Sequence, residues 1–136
     1  MKTLFKRKKA KEAMQRVDTL TLGEKKVRIT KITPRQYKEL FSVIGNIPNL
    51  VYQVANAPED DYRAYVLMAL EVGMDDIVGI VSYLTGIEAD YLHDQASFYD
   101  ITEYLVQMVE YNNIEKTLKN VASLLPKTKT PAEKAE

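Results

Sequence analysis

Apolar and polar residues mostly alternate between Asp18 and Ile32, with Leu20, Leu22, Val27, Ile29 and Ile32 as the apolar members. That period of two predicts a β-hairpin over 18–32, turning through Gly23-Glu24-Lys25-Lys26. A lone two-stranded hairpin is marginal in water, so it must pack on the helices or pair with another chain. From Thr33 the period changes to that of a helix. Thr33 is placed to cap, Pro34 suits the first helical position, and Gln36 completes a capping box. Leu40, Phe41 and Ile44 form the apolar face of this helix, which Gly45 and Pro48 are expected to end. A short helix is expected over Asn49–Asn56. Pro58 then opens another, with Glu59, Asp60 and Asp61 in the first turn, where they complement the helix dipole. Tyr62, Tyr65, Val66, Ala69 and Leu70 lie along it, and Gly73 is read as its close.

Asp75-Asp76 read as the start of a further helix carrying Ile77, Ile80, Val81 and Leu84, with Gly86 as its C-cap and Gly79 permitting a close helix contact. A short helical turn over Glu88–His93 leads to the long amphipathic stretch Ser97–Leu125. That stretch is broken or bent at Asn112-Asn113. Phe98, Ile101, Leu105, Met108, Val109 and Asn112 share one of its faces at helical spacing. Tyr104 and Tyr111, one heptad apart, lie on the shoulder of that face. From Pro126 onward PKTKTPAEKAE has no apolar residue beyond alanine and reads as a disordered tail. The expected fold is mainly α: a compact helical domain of about five helices with a small N-terminal β-hairpin. The expected organisation is a basic arm over 1–17, a single domain over 18–125 with a helical body at 33–125, and the tail over 126–136.

A chain of 136 residues with 46% hydrophobic residues is long and apolar enough to bury a core. It has no cysteine, which excludes a disulfide scaffold, a thiol nucleophile and thiolate zinc sites. No run of about 18 apolar residues predicts a membrane span. The opening MKTLFKRKKAKEAM has the positive end of a signal peptide without its apolar stretch of about 7–15 residues, so a cytoplasmic protein is expected.

The net charge of zero conceals an asymmetry. Residues 1–32 carry eleven Lys/Arg against three acids, a balance of +8. Residues 33–125 carry five bases against fourteen acids, a balance of −9. An acidic body with a basic arm is not the footprint of a nucleic-acid-binding domain, which presents positive charge on a folded face. The arm (Lys2, Lys6, Arg7, Lys8, Lys9, Lys11) is suited either to solvation or to touching phosphates, an acidic surface or the body of a neighbouring copy.

Candidate chemistry is sparse. His93 is the sole histidine, so His93-Asp94 cannot complete a metal shell of the phosphohydrolase kind. Asp90, His93 and Asp94 share a helical face able to hold a divalent ion weakly, although a solvated helix end explains them as well. The pairs Asp60-Asp61 and Asp75-Asp76 read as helix-start acids rather than acid/base dyads. No glycine falls in a phosphate-cradling loop, and no serine has a base to pair with. No catalytic, cofactor or metal residues are expected, and the chain reads as a non-enzyme. All nine tyrosines fall between Tyr37 and Tyr111. Tyrosine and methionine are favoured at interfaces, which makes Tyr104, Met108 and Tyr111 the candidate partner-binding residues, against the plainer reading that they rim the core.

The order of elements is informative. A short hairpin, then KITPRQYKELF, then VSYLTGIEADYLHDQASFYDITEYLVQMVEYNN, resembles the tail assembly chaperones of long-tailed bacteriophages. The matching positions are Thr33, Gln36 and Tyr37; Leu84, Thr85, Gly86 and Ile87; and Asp100, Ile101, Leu105 and Asn112. The resemblance covers residues 18–125, and the basic arm has no counterpart in the family pattern. It implies a protein that binds the long, helical tape-measure protein in the host cytoplasm and keeps it soluble. Such a protein also helps recruit the major tail-tube protein and is absent from the mature virion. It further implies a longer product made by ribosomal frameshifting, for which Pro126 is a natural junction. Self-association through the hairpin edge is a further expectation. Two alternatives stand beside this reading: a structural head–tail or tail-completion protein of the virion, and a small DNA-binding regulator using the arm.

Overall fold

In the computed structural model residues 19–126 are described, so the arm and the tail beyond Pro126 lie outside the described residues. Strands β1 (Leu20–Leu22) and β2 (Lys25–Val27) pair antiparallel, with Leu22 opposite Lys25. The turn is therefore only Gly23-Glu24, and Lys25 and Lys26 belong to the second strand rather than the turn. Gly23 has φ 66, as the first central position of a type II′ hairpin requires. Its missing side chain also lets the turn sit on a neighbouring helix, because a Cβ here would lie 2.8 Å from the Tyr91 hydroxyl.

Six helices follow among the described residues: α1 (Pro34–Val43), α2 (Ile47–Ala55), α3 (Tyr62–Thr85), α4 (Ala89–Gln95), α5 (Phe98–Tyr111) and α6 (Ile114–Leu124). The mainly helical class with a small hairpin is as expected. The capping box at the start of α1 is present: the Gln36 N–H donates to Thr33 Oγ1, and the Thr33 N–H donates to Gln36 Oε1 at 2.9 Å. Pro48 lies in the first turn of α2 instead of ending α1, since its missing N–H is no loss there. The acids after Pro58 form a separate 3₁₀ turn, Glu59–Asp61, leading into α3.

The largest departure is at Gly73 and Asp75-Asp76, which neither close one helix nor open another. They lie inside the uninterrupted 24 residues of α3. A glycine within a helix costs about 1 kcal/mol relative to alanine. Here it admits α2, because a Cβ on Gly73 would come within 2.7 Å of Leu50 Cδ1. At Gly79 the added atom would meet Val43 at an ordinary 3.7 Å, so the tight helix contact is at Gly73. The two aspartates serve neighbours instead. Asp76 Oδ2 accepts the Asn46 N–H at 3.1 Å in the turn between α1 and α2, and Asp75 lies 3.4 Å from His93 Nε2. Gly86 is the expected left-handed C-cap, with φ 77.

The main core gathers Leu22, Val27 and Ile29 from the hairpin region, Val78 and Val81 from the second half of α3, Leu92 from α4, and Ile101, Tyr104 and Met108 from α5. The first half of α3 takes no part in it and packs on α2 through Gly73 and Leu50. The bend expected at the double asparagine is present. Asn112 ends α5, and Asn113 has φ 50, the left-handed region that asparagine tolerates better than most residues. Asn112 also clasps the segment after β2: its Oδ1 accepts the Ile32 N–H at 2.7 Å, and its Nδ2 donates to the Thr30 carbonyl at 3.1 Å. The hairpin is thus held at both ends. Its turn is fixed by Tyr91, whose hydroxyl accepts the Glu24 N–H at 2.9 Å and whose ring lies 4.4 Å from Lys25 Nζ.

Candidate partner-binding surfaces

The face of α5 that points inward is Ile101, Tyr104 and Met108, with the expected Phe98 and Leu105 partly buried against the same core and the expected Val109 exposed. Tyr104 and Met108 are 1% and 2% exposed. Neither can meet a partner while the fold is closed, so their placement on a contact surface is corrected to the core. Burial pushes the Tyr104 hydroxyl up to about 12. Tyr111, the third residue of the expected surface, is 47% exposed and stands at the end of α5. The reason is angular. A heptad step returns to nearly the same helix face, but the core stripe keeps Ile101 and Met108 and takes in Tyr104 in place of Val109, and Tyr111 sits at its margin.

Rotating α5 in this way leaves Val106 and Val109 outside, facing α6. The two helices enclose an open groove of about 780 Å³, with Leu105, Val106, Val109 and Ile114 as apolar lining and Glu110, Glu115, Lys116 and Lys119 among its charged groups. α6 has no buried residue at all, and its Leu118, Val121 and Leu124 are exposed. Eleven residues of helix are marginal in water without tertiary packing, since isolated helices need about 12–15 residues even in favourable sequences. Nothing among the described residues covers the apolar side of this amphipathic helix.

A second apolar surface was not among the sequence expectations. Along the first half of α3, Tyr65, Met68 and Val72 are exposed on one ridge. The signal lay in the near-continuous apolar run from Tyr62 to Val72, which is more than a helix covered on one side can bury.

No matching family model, curated protein or solved structure was found for this chain.

Electrostatics favour partners other than polyanions. Residues 39–115 contain fourteen acids and one base, Arg63. Among the described residues no three His, Asp or Glu side chains converge to hold a metal ion, and Asp90, His93 and Asp94 do not form such a group. No described helix is long and apolar enough to cross a membrane. Tyr83 on α3 donates a hydrogen bond to Glu39 of α1, and that bond raises the tyrosine's pKa, with burial and the negative charge of Glu39 adding to it. The contact ties two helices together and touches neither exposed apolar surface.

Proposed function

We propose that this chain is a non-catalytic tail assembly chaperone of a long-tailed bacteriophage, acting on the tape-measure protein in the host cytoplasm. The observation that carries the reading is α6, an amphipathic helix with no buried residue that forms one wall of an apolar groove. A long helical client presents repeated apolar stripes of the kind such a groove accepts, in the helix-in-groove mode of recognition. Leu105, Val106, Val109 and Ile114 would cover part of a stripe, and the two acids and two lysines beside them would set its register. The acidic body would keep the loaded complex dispersed through like-charge repulsion. The tail-tube protein would then gather on a client that has stayed soluble, and the chaperone would leave before the virion matures. The order of elements over residues 18–125 and the matched positions from Thr33 to Asn112 support the same reading.

The test is co-expression with the tape-measure protein of the same phage. The expected result is a soluble client with the wild-type chain and an insoluble one with Leu118→Asp/Val121→Asp. An insoluble client in the presence of the wild-type chain would sink the proposal. Recovery of the chain in stoichiometric amounts from purified particles would favour a structural virion protein instead. Salt-sensitive retention on duplex DNA would favour the regulator.

A further inference from the structure

The basic arm is left unused by the proposed function, and the acidic side of α3 offers it a counterpart. Asp61, Tyr65, Met68, Val72 and Asp75 stand four, three, four and three residues apart, the spacing of one helix seam. All five are exposed, so the seam is an apolar ridge with a carboxylate at each end. Glu59 and Asp60 add to the charge at its start, and Arg63 is the single base of α3. A partner for this seam must be basic and apolar together. Residues 1–18 have that composition: seven Lys/Arg against two acids, with Ala10, Met14 and Val17 at helical spacing behind Lys6–Lys9. As a helix, eighteen residues span about 27 Å, more than the roughly 10 Å of α3 between Tyr65 and Val72.

We propose that residues 1–18 dock on the α3 ridge of this protein, with Ala10, Met14 and Val17 against Tyr65, Met68 and Val72 and the lysines beside the flanking acids. The contact does not require a tape-measure client.

The absence of native cysteine allows a single spin label at Lys9→Cys in the full-length chain, read on the methionine methyl signals. At low salt the Met68 methyl signal is expected to be strongly broadened. It should recover in about 1 M salt, where the Debye length falls to about 3 Å. Asp61→Lys/Asp75→Lys should restore the signal at low salt as well, since both side chains are exposed and the one contact of Asp75, with His93, is itself at the surface. Mixing spin-labelled chains with isotope-labelled, spin-free chains separates docking on the same molecule from docking on a second copy, and either result bears the contact out. A Met68 signal untouched by the label at low salt overturns it. So does broadening that survives both high salt and the charge reversal.

Discussion

Two side chains decide more of this structure than their types suggest. Tyr104 is buried among aliphatic groups, and its hydroxyl pKa is pushed up to about 12 against an ordinary value of 10. The unfolded chain therefore ionises first as pH rises. The neutral form's advantage is intact below about pH 10 and is lost between there and pH 12, to a limit of about 3 kcal/mol. Urea unfolding of Tyr104→Phe should match wild type near pH 8 and fall less steeply above pH 10. Equal alkaline slopes for the two proteins would show that the residue is not closed off from water. Asn112 is the other such residue. Asn112→Ala leaves the Ile32 N–H and the Thr30 carbonyl without their partner, and the expected cost is about 1–3 kcal/mol in chemical denaturation. A midpoint unchanged from wild type would mean that water replaces the clasp freely.

At the scale of elements, the two most different helices are α3 and α6. Because α6 buries nothing, Leu118→Asp/Val121→Asp should leave the unfolding midpoint within about 0.5 kcal/mol of wild type, as exposed substitutions do. Under the proposed function the same variant would abolish client protection, which separates the role of the exposed apolar side of α6 from folding. Much of this level was legible in the sequence. The Thr33-Pro34-Gln36 box, the Gly86 cap and the break at Asn112-Asn113 are local signals, and local signals survive without knowledge of neighbours. Gly73 failed as a signal because a glycine in a helical run has two meanings, a stop or a close approach. Only the position of Leu50, more than twenty residues earlier, distinguishes them. Asp75-Asp76 failed for a related reason. Acids favour helix starts, but here they serve His93 and the Asn46 backbone. On α5, Ile101 and Met108 were legible as inward-facing, while Tyr104 is buried where a shoulder position was expected and Val109 is exposed where the apolar face was expected.

For the whole molecule, the division of labour follows charge and burial. The hairpin, the second half of α3, α4 and α5 supply the core, while the first half of α3 and all of α6 present apolar surface without belonging to it. Neither exposed surface was legible in the sequence as a surface, because exposure depends on which neighbours fail to arrive. The acidic balance was legible, and it surrounds the α3 ridge, whereas the groove beside α6 carries two acids and two lysines.

The continuity of α3 has a mechanical consequence. No cap, proline or left-handed residue interrupts Tyr62–Thr85, so the ridge and the buried half of the helix form one stiff shaft. At the other end, α6 joins the body through a two-residue joint at Asn112-Asn113, of which Asn112 is clasped to the segment after β2. A load taken up on the ridge reaches the core as a rigid displacement. A load taken up on α6 reaches the core through that joint and the contact of α6 with α5.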